Sequence, residues 1–383
     1  MTIDAAPLGA APRSRSRRTR LAAVATLTAL VITAAACGGD DDDEAVSADD
    51  DTSSETTTAD DTATDDAAGE DTEADAGEVT EIDLQLSWLP DTEFAPLFLA
   101  DANGYLDEAG VDVEFISGGP DIGAVEAIVG SGAADVGIAT DIFSVISAAA
   151  EGSPFVVLGT LYQSNLHGFI SPQDAPIETA ADLAGARLGG SQGVQPKFEA
   201  ILELNGEDPS DYTFVPAGFG PDLLINGDVD AQSVFITDEV LAYRDATGED
   251  PVIVQWDELG LPSYTLVLFT TQDYLDENRD ALMGMLEAIQ RGQADNAADP
   301  EAGPTVVAEV YGADAGMELE AEIAKNAEYL QYAESDFTDE HGYLWVDPEF
   351  LETEIYAGME ASGQAVAPVE DVLDMSLLEE IGG

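Results

Sequence analysis

Short alternating apolar segments and helical segments succeed one another from Glu81 to Phe269, and this repeat constrains the fold more than any other feature. Ile82-Asp83-Leu84-Gln85-Leu86 alternates with the two-residue period of a strand, ending at Trp88-Leu89-Pro90. Phe94 to Ala102 reads as a helix stopped near Asn103-Gly104. Val111 to Ile116 alternates again and is closed by Gly118-Gly119-Pro120. Ile122 to Val129 reads as a helix, and Asp135 to Ile138 as a short buried strand. Asp141 then caps a helix running to about Ala150, and Phe155 to Leu161 returns to strand. Repeated β-α order implies a largely parallel sheet flanked by helices.

A similar series begins after Ser171-Pro172. Gly189-Gly190-Ser191-Gln192-Gly193 leads into a helix from Gln195 to Leu204. Thr213 to Val215 is a strand, Pro221 to Ile225 a short helix, and Ala231 to Ile236 a strand opening into a helix from Asp238 to Thr247. Val252 to Val254 and Thr265 to Phe269 are further strands, and from Gln272 onward the pattern is helical. Two such series with a helical tail predict a two-lobed α/β protein, with lobe 1 over about 81–170 and 265–383, lobe 2 over about 171–264, and ligand between them.

The residues before 81 have a different character. Arg13, Arg15, Arg17, Arg18 and Arg20 precede the apolar run Leu21 to Ala36, which is short for a bilayer span. Ala34-Ala35-Ala36 then precedes Cys37, the only cysteine of the chain. This reads as a signal peptide over 1–36 followed by a lipidated Cys37. The segment resembles a bacterial lipobox in which Ala34 stands where Leu is usual; Ser16-Arg17-Arg18 resembles a twin-arginine signal, with Arg20 replacing the usual aromatic. From Asp40 to Glu78 there are 18 acidic and no basic residues, so 37–80 reads as an acidic, disordered tether.

Charge excludes several functions. The formal net charge is −68, and 81–383 alone holds 60 acidic against 6 basic side chains. A nucleic-acid partner needs clustered Lys and Arg, and so does binding to anionic lipid through a basic patch. A domain this acidic suits a saline exterior, where salt screens self-repulsion. One cysteine and two histidines leave no disulfide framework and little basis for a metal site, so neither a metal nor a cofactor is expected. No P-loop or HExxH occurs.

The ordered motifs carry a family resemblance. Trp88-Leu89-Pro90, Phe94-Ala95-Pro96-Leu97-Phe98-Leu99-Ala100, Gly104-Tyr105-Leu106, Ala109-Gly110-Val111-Asp112-Val113 and Gly132-Ala133-Ala134-Asp135-Val136-Gly137-Ile138 stand in the order of one known pattern. They resemble solute-binding proteins of ABC importers for thiamine pyrimidine precursors, sulfonates and riboflavin-like compounds. Ile177 to Gly185 and Val234-Phe235-Ile236-Thr237-Asp238-Glu239 continue the likeness through about residue 290. The resemblance implies a periplasmic-binding-protein (type II) fold, a small-molecule ligand, and a permease with its ATPase as partners. It also extends to a eukaryotic pyrimidine synthase, but that activity depends on a cysteine-rich iron motif, and Cys37 lies outside the domain. A binding protein rather than an enzyme is therefore expected, and a sensory lipoprotein without a transporter is the other class that uses this fold.

Ligands of open α/β sheets sit beyond the carboxyl ends of strands. The candidate binding residues are thus Trp88, Phe94, Gly118, Gly119, Thr140, Asp141 and Tyr162 in the first series, and Ser191, Gln192, Asp238 and Tyr264 in the second. Trp88 suits stacking on a flat ring or packing between lobes. Asp141 is either a ligand group or only a helix cap. No Lys or Arg adjoins any candidate in sequence, which disfavours sulfonate and phosphate. Asp141 and Asp238 suit a ring with amino N–H donors, as in an aminopyrimidine, whereas Gly118-Gly119 look more like the riboflavin-type branch.

Overall fold

A computed structural model describes residues 79–382. The expected signal peptide, Cys37 and the acidic run through Glu78 lie outside the described residues. Thr80, assigned to the tether, is already the first residue of a strand.

Ten strands form among the described residues: β1 (Thr80–Gln85), β2 (Val111–Ile116), β3 (Val136–Asp141), β4 (Phe155–Tyr162), β5 (His167–Ser171), β6 (Arg187–Gly190), β7 (Thr213–Pro216), β8 (Ala231–Phe235), β9 (Val252–Gln255) and β10 (Thr265–Thr271). They build two five-stranded sheets, ordered β2-β1-β3-β10-β4 and β7-β6-β8-β5-β9. Within the β-α repeats the strands run parallel, β1 with β2 and β3, and β6 with β7 and β8. In each sheet one strand, β10 or β5, runs antiparallel to both of its neighbours.

The expectation of a largely parallel sheet is corrected to two mixed sheets. A parallel neighbour needs a long crossover, usually a helix. The chain instead passes between sheets through short links, residues 163–166 and 256–264, that contain no helix. The lobe boundary moves for the same reason: β5, placed in lobe 1 by sequence, pairs with β8 and β9 of the second sheet. Asn165 ties the two links together, its backbone N–H donating to Asp257 Oδ2 at 3.1 Å and its Nδ2 donating to the Leu261 carbonyl at 3.0 Å.

Packing follows the apolar periodicity. Ile82 and Leu84 of β1 are buried while Glu81 is exposed, as alternation dictates. Phe94, Leu97 and Phe98 are fully buried, and side chains of this size contribute about 1.5–3 kcal/mol each on leaving water. The long helix Gln272–Ala298 packs on the helix Ala95–Ala102, and Gly292 allows it, because a Cβ there would strike the Pro96 carbonyl. β4 lies at a sheet edge, yet all eight of its residues are buried. The C-terminal segment covers that edge, with Thr160 N–H donating to the Leu344 carbonyl at 2.9 Å and Asp374 N–H to the Val157 carbonyl at 3.2 Å.

Candidate functional site

The carboxyl ends of the parallel strands in the two sheets face each other across a cleft of about 590 Å³. The first sheet presents Ser87 and Trp88 after β1, Gly119 after β2, and Thr140 and Asp141 at the end of β3. The second presents Ser191 after β6, Phe219 after β7, and Asp238 and Glu239 after β8. Trp88 and Phe219 meet across the gap with ring centroids 4.8 Å apart and planes tilted by 55°.

Six of the eleven sequence candidates line this cleft: Trp88, Gly119, Thr140, Asp141, Ser191 and Asp238. Five do not. Phe94 points into the core, fully buried and 6.2 Å from the Phe98 ring. Gly118 is small because a Cβ would run into the backbone of Leu86 to Trp88, to which its N–H is bonded. Tyr162 is buried and donates its hydroxyl hydrogen to the Glu93 carbonyl at 2.9 Å. Gln192 is exposed away from the cleft wall. The Tyr264 hydroxyl is engaged by the Asp347 N–H at 3.1 Å.

The expectation that no cation stands beside the candidates is overturned. The chain has two lysines, Lys197 and Lys325, and each reaches a cleft aspartate from the opposite sheet's side. Lys197, on the helix Gln195–Leu204 after β6, places Nζ 2.5 Å from Asp141 Oδ2. Lys325, on the helix Leu319–Tyr329 that packs against the first-sheet helices, places Nζ 2.6 Å from Asp238 Oδ1. Asp141 also caps the helix Ile142–Ala150, Oδ1 accepting from Ser144 N–H at 3.3 Å, so both of its oxygens are engaged. Burial alone would raise its carboxyl, but the Lys197 ammonium outweighs this and holds it below the usual range.

His167, one of the two histidines of the chain, lines the cleft and stacks on Trp256 at 5.0 Å. Enclosure, then the Lys197 charge, push its imidazole down to about 4, so it is neutral at physiological pH.

The other end of the cleft is crowded with carboxyls. Lys325 Nζ lies 3.4 Å from Asp91 Oδ2 and 3.5 Å from Glu322 Oε1 besides its contact with Asp238. Burial would depress this ammonium, but the three carboxylates together raise it above the ordinary lysine value. Tyr329 donates its hydroxyl to Asp238 Oδ2 at 2.8 Å. Burial and the Asp238 charge push Asp91 up to about 7, and burial and the same charge push Glu239 up to about 7. Glu93 is driven well above the carboxylate range, first by burial and then by Asp91 and Asp238.

Phe219 and Glu93 are among the cleft residues that sequence reasoning missed. Phe219 carried a signal, following the strand Thr213–Pro216 as Trp88 follows β1. Glu93 sits one position before the expected Phe94, and the short 3-10 turn Thr92–Phe94 gives the core to the phenyl ring and the cleft to the carboxyl.

Two mixed sheets joined by two short links, with a ligand-sized cleft between facing strand ends, define the periplasmic-binding-protein fold. Solved structures agree: the alkanesulfonate-binding protein SsuA of Xanthomonas axonopodis pv. citri, bound to MOPS, superposes with a TM-score of 0.54 over 78% of this chain and 99% of that one, at 14% identity. The family described as NMT1/THI5 like matches residues 91–303, and the chain belongs to it. A 4-amino-5-hydroxymethyl-2-methylpyrimidine phosphate synthase of Aspergillus parasiticus is 28% identical over 56% of this chain and 66% of its own, so the chain spans about two thirds of that relative. The riboflavin-binding protein RibY of Chloroflexus aurantiacus is 24% identical over 76% of this chain and 83% of its own.

Proposed function

We propose that the protein is an extracytoplasmic, Cys37-anchored substrate-binding lipoprotein of an ABC importer, capturing a small flat heteroaromatic nutrient for delivery to a permease and its ATPase. The observation that carries this reading is the Trp88–Phe219 pair, one ring from each sheet, meeting over a cleft backed by carboxyls. A flat ring stacked there exchanges the mutual contact of the two side chains for two ligand contacts, which couples binding to the spacing of the lobes. Carboxyl oxygens of Glu93, Asp238 and Glu239, which line the same cleft, suit N–H donors on that ring. A thiamine pyrimidine precursor has both properties and is the favoured ligand. Riboflavin is the second, supported by the extent of the match to RibY. A sulfonate fits less well, because Lys197 and Lys325 are already committed to carboxylates. A synthase reading, suggested by the Aspergillus relative, lacks the cysteines that the resemblance ties to that chemistry, since Cys37 is the only one.

The test is to titrate 4-amino-5-hydroxymethyl-2-methylpyrimidine, riboflavin and taurine against the wild type and Trp88→Ala. Loss of a stacking partner costs about 1–3 kcal/mol, so the pyrimidine should bind about 5- to 150-fold more weakly to the variant. Tight taurine binding that ignores Trp88→Ala overturns both the ligand class and the site.

A further inference from the structure

Glu93 is the one carboxyl of the cleft wall with a buried oxygen that bonds to nothing among the described residues. The side chain is 4% exposed; Oε2 lies 3.4 Å from the Tyr329 hydroxyl oxygen, and Oε1 has no partner among the described residues. Ser87 Oγ, also on the wall, is likewise unpartnered. The groups facing Glu93 are Asp91, Asp238, Lys325, and the hydroxyls of Tyr329 and Tyr162.

The charge balance around it is lopsided. Asp91, Glu93, Asp238, Glu239 and Glu322 are five carboxyls, and Lys325 is the single ammonium that the described residues place among them. At the opposite end Asp141 and Lys197 balance one to one. Enclosed carboxylates without cations cannot all ionise, so they hold protons or wait for positive charge. A neutral N–H donor satisfies the free oxygen of Glu93 but leaves the charge excess, and an anion worsens it.

We infer that the ligand enters this cleft as a planar cation, an amidinium-like N–H group docking on Glu93 Oε1 while its ring lies against Trp88 and Phe219. The inference rests on the ring-binding reading above and adds the charge of the ligand. Docking then replaces a proton: Glu93 gives up its carboxyl hydrogen to solvent and accepts the ligand's N–H as a carboxylate. The raised carboxyls of Glu93 and Asp91 are consistent with protons being present to leave.

Benzamidine, benzamide and benzenesulfonate share a ring and differ in the charge of one group, so they test this directly. Calorimetric titration in two buffers of unlike ionisation heat reads both affinity and protons released. Benzamidine is expected to bind at least about tenfold more tightly than benzamide and to release protons, with benzenesulfonate weakest. Glu93→Gln is expected to abolish the preference, and Trp88→Ala to weaken benzamidine and benzamide alike. If Glu93→Gln does not fold, the affinity ratio and proton count on the native protein decide the matter. Equal binding of benzamide and benzamidine, both sensitive to Trp88→Ala, overturns the cation inference and leaves the ring-binding reading standing. No binding by any of the three overturns both.

Discussion

Lys197 Nζ, carried by a helix of the second sheet, lies 2.5 Å from Asp141 Oδ2 at the end of a first-sheet strand. The ammonium also sits 5.2 Å from the Phe143 ring centroid and 5.8 Å from that of Trp256, on the apolar floor between the lobes. Lys325 and Asp238 make the matching tie from the other side. Every lysine of the chain is therefore spent on joining the two halves of the cleft.

Removing one tie should loosen closure. Lys197→Met leaves Asp141 enclosed and unpaired; a fully buried pair broken this way costs 3–5 kcal/mol, and this partly exposed one should cost about 2. Urea unfolding is expected to show that loss, X-ray scattering a larger radius of gyration, and Asp141→Asn added to Lys197→Met a partial recovery. An unchanged radius with unchanged stability sinks the idea that the pair holds the lobes.

Stability should fall as pH rises from about 5 to about 8. Asp91, Glu239 and Asp257 are each pushed up to about 7, chiefly by burial, so the folded protein keeps protons that the unfolded chain has lost above about 4. Their stabilisation is complete below that lower value and disappears as pH passes about 7. His167, pushed down to about 4 by enclosure, acts oppositely between about 4 and 6.5, but as one group against three. A melting temperature lower by about 5 °C at the alkaline end is expected, with a shallower slope in Glu239→Gln; a flat or rising profile contradicts the assignment.

Phe219 is 67% exposed, so Phe219→Ala should leave the melting temperature nearly unchanged. Ligand affinity should fall about tenfold, since half of the ring pair is gone. An affinity equal to wild type for every flat ligand tried removes Phe219 from the site.

Added salt should raise the melting temperature of the domain between about 0.01 and 1 M, because 81–383 carries 60 acidic against 6 basic side chains and screening weakens their repulsion. The enclosed Lys197–Asp141 tie is screened much less than the surface, so the wild type and Lys197→Met should gain alike. A melting temperature indifferent to salt removes the argument for adaptation to a saline exterior.

Cys37→Ser should release the protein from membranes into the soluble fraction. Fractionation of expressing cells, with mass analysis of the mature N-terminus, reads it. Equal membrane retention of the variant contradicts anchoring through Cys37.

Much of the fold was legible because strand and helix periods are local. The alternation of Val111 to Ile116 and the helix Gln195–Leu204 have the observed bounds, and Trp88, Asp141 and Asp238 follow strand ends, which is where an α/β cleft must lie. The order of motifs from Trp88 to Glu239 was likewise enough to indicate the family. What failed was whatever depended on partners distant in sequence. The antiparallel course of β10 and β5 is set by which sheet the chain re-enters, and nothing in Thr265–Thr271 encodes that direction. Phe94 and Glu93 are neighbours that divide core and cleft between them, a choice made by the Phe98 ring and the Tyr329 hydroxyl. Lys197 finds Asp141 across 56 positions. An ion pair of that separation exists only once two packed layers bring the charges together, so local pattern could name both residues but only the tertiary structure could pair them.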